Sequence, residues 1–328
     1  MTANKHFKQL VRARMAVAGE TYTAARTSVE SDEVDVVLSD PVVVEVHGRH
    51  GQTVVFTPDG TRVLSGGQDA RIAILDAATG ATQGELLGHS KVVNAVGVTP
   101  DGRLAVAVSS DRTVRIWDLD TRSSVGVLDG HRDAVVALAV SPDGAGALTG
   151  GYDGRLLQWD LAEHVCVGEV RTDLKRLAAV AYTPDGTCSI ESGQGPHVTV
   201  RATDSNETLA VLDTGAPGVI GLDVSADGAM LATAGYDGTV ALWDCTGWEE
   251  VRRLDVGDRA SAVSFSRSGR LLAVAARRKV TVWSHDRDTP IATAGLPIDG
   301  VYDLAFSPDA RRLAQAGADG KVRIWTLR

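Results

Sequence analysis

The chain of 328 residues has only three cysteines, Cys166, Cys188 and Cys245, an odd number, far apart and with no C-x-x-C pair. That pattern argues against a disulfide framework and a thiolate metal cluster, and fits a reducing cytoplasm. No stretch approaches 18 consecutive apolar residues, so no membrane-spanning helix is encoded. The first twenty residues, MTANKHFKQLVRARMAVAGE, mix basic with apolar side chains and lack the continuous apolar stretch of a secretory signal. Aromatic residues are scarce at 5%, against 35 glycines, so short elements separated by many turns are expected rather than long packed helices.

What is present suffices for a core: 44% of residues are hydrophobic and 23% charged, which argues against wholesale disorder. The net charge of -9 is uneven. Residues 1–26 hold Lys5, Lys8, Arg12, Arg14 and Arg26 against Glu20 alone, leaving 28 basic and 41 acidic residues in the remainder. An acidic body is a poor generic binder of nucleic acid, which needs clustered cations to release counterions.

A turn recurs along the chain. T/S-P-D-G stands at 57–60, 99–102, 141–144 and 183–186, and continues as SADG at 225–228, SRSG at 266–269 and SPDA at 307–310. Its third residue is Asp59, Asp101, Asp143, Asp185, Asp227, Ser268 and Asp309, at spacings of 42, 42, 42, 42, 41 and 41. An alternating apolar run precedes each turn and another follows it. A second turn lies ten residues beyond the first, at Asp69, Asp111, Asp153, Asp237 and Asp319. Period-two alternation bounded by Gly, Pro and Asp turns predicts antiparallel hairpins repeated seven times.

Gly88-His89 and Gly130-His131, with Trp117-Asp118, Trp159-Asp160 and Trp243-Asp244, resemble the signature dipeptides of the WD-repeat family of β-propellers. The resemblance covers residues 34–328 and implies an all-β, seven-bladed propeller with four strands, a to d, per blade around a channel. Strand c of the last unit ends two residues before the C-terminus, so blade seven lacks its own strand d. The run DVVLSDPVVVEV at 35–46 is the expected substitute, closing the ring and removing exposed sheet edges.

The same resemblance implies a hydrogen-bonded set in each blade: a His before strand a, a Ser/Thr in strand b, an Asp in the b–c turn and a Trp in strand c. Blade three carries all four as His131, Thr149, Asp153 and Trp159. Blade one has Leu75 in place of the Trp, blade two Ala107 in place of the Ser/Thr, and blades five and seven lack the His. Blade four departs further, with Gly195 and Arg201 at the Asp and Trp positions, and blade six has Arg277 at the turn. Repetition in several blades makes the set structural rather than a catalytic triad, which needs an exposed nucleophile beside an oxyanion hole.

Other candidates are weaker. The eight His residues are scattered, with no H-E-x-x-H or calcium loop, so no metal and no cofactor is expected. Asp223 and Asp303, isolated in apolar inner strands, read as turn or strand-end partners. GQGPH at 193–197 lacks a following helix and Lys-Ser/Thr, so it reads as a widened b–c turn rather than a phosphate loop. Trp248, after Cys245, reads as packing against a strand edge.

The face built from d–a loops and b–c turns holds the most promising surface. Arg49, Lys91, Arg132, Lys175, Arg176 and Arg259 follow the His positions, and the b–c turns add Arg112, Tyr152, Tyr236, Arg277 and Arg278. Arg and Tyr are enriched at interface hot spots. A basic, tyrosine-bearing face on an acidic body points to an acidic or phosphorylated segment of a protein partner.

Residues 1–33 form a separate extension. Asn4 caps an expected helix over 4–18, with Phe7, Leu10, Val11, Met15 and Ala18 on one face, and a second runs from Thr21 to Glu30. RARMAVAGETYTAAR resembles part of the ribbon-helix-helix antitoxins, without room for their leading strand. The expected function is a cytoplasmic, non-enzymatic scaffold or adaptor. The alternatives are a propeller enzyme using the channel, and a nucleic-acid-linked regulator acting through the basic extension.

Overall fold

The computed structural model describes residues 36–284 and 287–328. The helices expected over 4–18 and 21–30 lie outside those residues. Within them there is no helix, and 28 strands form seven four-stranded antiparallel sheets. The fold is the all-β seven-bladed propeller that the repeats imply.

Blade three shows why each unit folds as it does. Its strands, from the axis outward, are Val135–Val140, Gly146–Gly151, Arg155–Asp160 and Val165–Arg171. The a–b turn is built by its own side chains. Asp143 Oδ1 accepts from Ser141 Oγ at 2.5 Å and from Ala145 N at 2.9 Å, while Ser141 Oγ accepts from Gly146 N at 2.8 Å. Gly144 completes the turn at φ +74, where a side chain is strained. Blade seven puts Ala310 at this position, at φ +55.

Inner strands Gly51–Phe56, Val93–Val98, Val135–Val140, Leu177–Tyr182, Val219–Val224, Ala260–Phe265 and Val301–Phe306 touch in that order, and the last touches the first. In all seven, the register against strand b slips one residue in, at Gln52, Asn94, Val136, Ala178, Ile220, Ser261 and Tyr302. Such a bulge turns its side chain away from the blade's own ladder. Asn94 Nδ2 uses this freedom to donate to Val135 O of the next blade at 2.7 Å, and Ser261 Oγ donates to Val301 O at 2.5 Å.

The core lies between blades. Val106 and Val114 of blade two pack with Leu157 and Trp159 of blade three, and the pattern repeats around the ring. Strands b and c are therefore apolar on both faces, whereas outer strands leave Val165, Val167, Leu209 and Val211 exposed. A sheet buried on both faces needs a neighbour on each side, which only a closed ring supplies to every blade.

Closure uses residues far apart in the chain. Val42–Glu45 pairs antiparallel with Lys321–Thr326, in register Val42 to Ile324 and Val44 to Val322. This is shorter than the expected 35–46, because Pro41 has no N–H to give the ladder. The contact continues before the proline through Val37 N to Arg328 O at 2.8 Å and Ser39 N to Thr326 O at 3.0 Å. Removing residues 1–46 is expected to lower the melting temperature of the whole ring, and removing 1–30 to leave it unchanged. Equal thermal midpoints for the two truncations would contradict the closure.

Candidate functional site

The d–a loops and b–c turns share one end of the channel, and the signature set ties them together. In blade three His131 Nε2 lies 2.8 Å from Thr149 Oγ1, which also accepts from Trp159 Nε1 at 2.8 Å. His131 Nδ1 lies 3.1 Å from Asp153. One proton order satisfies every partner: Trp159 donates to Thr149, Thr149 to His131, and His131 to Asp153. Burial pushes the His131 pKa down, against the pull of Asp153, which suits the neutral ring this order requires. Asp153 also accepts from the backbone N of Arg132 at 2.8 Å, so the set clamps the d–a loop onto the b–c turn. Asp111 does the same for Ser90 in blade two, at 2.9 Å. Thr149 is wholly buried and bonded, so it offers no nucleophile to a substrate.

Most departures in the other blades find a local answer. His47 meets Asp69 at 2.8 Å and Ser65 at 3.1 Å, and Leu75 packs where the Trp would stand. In blade two Ala107 offers no hydroxyl, so His89 Nε2 has no partner and Trp117 donates to Leu87 O at 3.1 Å. Trp243 of blade five donates to Thr233 at 3.1 Å. Blade six moves the hydroxyl to strand c, where Thr281 accepts from Trp283 at 2.8 Å. In blade seven Arg323 pairs with Asp319 at 2.6 Å and reaches Gln315 at 3.4 Å. Blade four replaces the set with a buried ion pair, Arg201 to Glu191 at 2.9 Å. Adding 42 to Thr149 and Trp159 gives Glu191 and Arg201, so the repeat arithmetic held the signal for this pair.

Arg49, Lys91, Arg112, Arg132, Tyr152, Lys175, Arg176, Tyr236, Arg259, Arg277 and Arg278 are all exposed. Two pairs form across blade boundaries. The Arg176 guanidinium lies 4.7 Å above the Tyr152 ring, and that of Arg259 lies 4.3 Å above Tyr236. Stacking leaves the guanidinium edges open to an acceptor. Tyr152 and Tyr236 remain 41% and 43% exposed. Arg277 is not available in this way, because it forms a two-pronged ion pair with Asp299. Sequence reasoning missed Asp299, and also a third aromatic junction where the bulged Tyr302 lies beside His50, with ring centres 5.5 Å apart. His50 in turn meets Gln68 Nε2 at 3.2 Å.

Asp223 and Asp303 are not turn or strand-end partners. Each reaches across a blade boundary in the channel wall. Asp303 Oδ2 accepts from Thr53 Oγ1 at 2.9 Å and Val54 N at 3.0 Å, clasping blade seven to blade one. Asp223 Oδ2 accepts from Phe265 N at 2.6 Å, clasping blade five to blade six. Burial pushes Asp303 up to about 6 and Asp223 up to about 7 despite these hydrogen bonds, and the charge of Asp303 adds to the shift of Asp223. Among the described residues no group of three or more His, Cys, Asp or Glu side chains is placed to hold a metal. GQGPH forms the b–c turn of blade four, and Trp248 packs against the apolar cluster between blades four and five.

Comparison with known proteins agrees with this geometry. The family profile described as WD domain, G-beta repeat matches residues 80–118, 122–160, 206–244 and 297–326. The chain is similar to the small ribosomal subunit protein RACK1y of Oryza sativa subsp. japonica, 29% identical over 32% of this chain and 33% of that protein. It is 25% identical to the anaphase-promoting complex subunit cdh1 of Dictyostelium discoideum, over 30% of this chain and 14% of that one. It is 32% identical to protein HIR1 of Gibberella zeae, over 31% of this chain and 13% of that one. The matched stretch thus spans a third or less of these three relatives.

Two outcomes test the site's framework. Asp153→Ala strands the donors of His131 and Arg132 and is expected to cost about 1–3 kcal/mol in denaturant melts. Asp185→Ala, in an exposed a–b turn, is expected to cost less; a silent Asp153→Ala would contradict the clamp. The second concerns pH. A carboxyl whose pKa is raised on folding stabilises the folded state when protonated, and that contribution is lost as pH rises through the folded value. His47, His89 and His131, depressed by burial, act in the opposite sense. The comparison with Asp223→Asn cancels them. Between roughly pH 4 and pH 7 the stability difference is expected to move in favour of Asp223→Asn. A difference independent of pH would remove the clasp's protonation from the account.

Proposed function

This chain belongs to the WD-repeat family of β-propellers, and from that premise we propose that it is a non-enzymatic adaptor binding an acidic or phosphorylated segment of a partner protein. The binding surface is the face of the d–a loops and b–c turns. The observation that carries the reading is the pair of stacked junctions, Arg176 on Tyr152 and Arg259 on Tyr236, each spanning two blades. Around them Arg49, Lys91, Arg112, Arg132, Lys175 and Arg278 make no ion pair among the described residues. Such a face supplies donors and flat aromatic surface, and the partner supplies acceptors. The family membership supports a protein-interaction role in general.

The test is an array of acidic peptides, each with and without phosphoserine, probed with the full chain and with the double variant Arg176→Glu, Arg259→Glu. Exposed charges govern encounter and pairing more than folding. The variant is therefore expected to melt within a degree or two of the parent while losing about tenfold or more of its binding to phosphorylated peptides. An unchanged binding pattern would move the surface to the propeller's side or to residues 1–33. Binding that instead follows nucleic acid, and vanishes with residues 1–33, would replace the adaptor reading with the nucleic-acid one.

A further inference from the structure

The opposite end of the channel carries a site of different chemistry. A cavity of about 230 Å³ is lined there by Phe56 of blade one, Phe265 and Arg267 of blade six, Phe306 and Pro308 of blade seven, and Ala226 of blade five. Blades five and one are three steps apart around the ring, so residues from both meet only near the axis. The cavity is thus the channel mouth on the side of the a–b turns. Phe56, Phe265 and Phe306 are equivalent, each ending its inner strand, where the other blades have Val98, Val140, Tyr182 and Val224. The chain has four phenylalanines. Every one within the propeller stands at this mouth, on three consecutive blades, and Phe265 and Phe306 remain partly exposed.

A larger cavity, about 490 Å³, adjoins the first and shares Arg267 and Pro308 with it. It runs outward over Gly60 and Thr61 to Ala78 and Arg312. Three carboxylates also line it, each engaged by its own turn through at least one oxygen. Asp59 accepts from Thr57 Oγ1, Thr61 N and Thr61 Oγ1, and Asp309 from Ser307 Oγ and Arg311 N. Asp76 accepts from Ala78 N, Thr79 N and Thr79 Oγ1. The guanidinium groups of Arg267 and Arg312, by contrast, make no hydrogen bond or ion pair among the described residues. The two guanidinium groups thus keep open donors at the ends of the trough, with Asp309 Oδ2 as an open acceptor between them, beside an aromatic hollow sized for one large side chain.

We propose that this mouth and trough bind an extended peptide segment of a partner, in which one large apolar residue enters between the phenylalanines and adjoining acidic residues meet Arg267 and Arg312. The hollow supplies the apolar anchor and the arginines set its flanks. The elongated join of two cavities fits a stretch of chain better than a compact small molecule. The site does not rest on the adaptor reading of the other face. Were both to hold, the propeller would grip two segments at opposite ends of one channel.

The test uses the full chain and labelled capped peptides of the form Gly-Ser-X-Glu-Asp-Ser-Gly with X as Phe, Trp or Ser, read by fluorescence anisotropy. The Phe and Trp peptides are expected to saturate, and the Ser peptide to bind about tenfold more weakly or not at all. Arg267→Glu, on the surface, is expected to keep the parent melting temperature and weaken the Phe peptide by about tenfold, and Arg312→Gln, at a half-buried position, to weaken it in the same direction. Arg176→Glu with Arg259→Glu is expected to leave it unchanged, which separates this site from the other face. Failure of both aromatic peptides to saturate, or indifference to Arg267→Glu, would overturn the proposal. So would loss through the Arg176 and Arg259 substitutions. Sedimentation of the parent as a dimer that Arg267→Glu dissolves would assign the mouth to a second copy instead, and also overturn it.

Discussion

The pairing of Val42–Glu45 with Lys321–Thr326 is the contact on which the rest of the structure depends. Each blade buries both faces of its central strands, so no blade is stable without two neighbours. A row of seven would leave its first and last blades with a bare apolar face each. The ring removes both bare faces, and its outer seam joins two segments about 280 residues apart in sequence, a separation read from the paired residues themselves. At the axis the clasps of Asp303 on Thr53 and Val54 and of Asp223 on Phe265 hold two further blade boundaries from the inside.

Within that constraint the signature set does a narrower task. It fixes the d–a loop to the b–c turn, as Asp153 shows by holding the Arg132 backbone. It is dispensable where another contact can do the same or where the neighbours suffice. The ion pair of Glu191 with Arg201 illustrates the limits of such replacement. The pair is bonded on one side, but Glu191 Oε2 has no partner among the described residues. Burial raises the Glu191 pKa while Arg201 opposes the rise. A buried ion pair is weak as a source of stability, and removing either partner alone is damaging. Blade four is thus held more by its neighbours than by its own polar core.

Much of this was legible in the sequence because the period fixes everything at once. Seven turns at spacings of 41 or 42 residues gave the blade number, the strand order and the missing outer strand. The same arithmetic could have placed Glu191 on Thr149, but a change at two coupled positions looks like simple loss when each is read alone. Asp223 and Asp303 were misread for a different reason. Their partners, Phe265 and Thr53, belong to neighbouring blades, and alternation within one strand carries no information about the next blade. Tyr302 escaped because a bulge residue leaves the period-two pattern that would have flagged it, and Asp299 because it lies in a loop, outside any strand pattern. The phenylalanine trio at the far mouth was visible as composition but not as a site, because its convergence exists only around the axis.

The two ends of the channel consequently differ in kind: one has guanidinium groups stacked on exposed tyrosines, the other an aromatic hollow with two unpaired arginines. Both need rigid blades beneath them, including blades four and six, whose signature sets are most altered. Ring closure, rather than those sets, keeps the inner strands in place. Native-state hydrogen exchange on the inner-strand amides of all seven blades measures this most directly. Ring-enforced stability predicts one common opening free energy for Leu177–Tyr182, Ala260–Phe265 and Val135–Val140, equal to that of global unfolding. Exchange in blades four and six at a markedly lower free energy than in blade three would show that each blade stands on its own signature set, and would contradict the account.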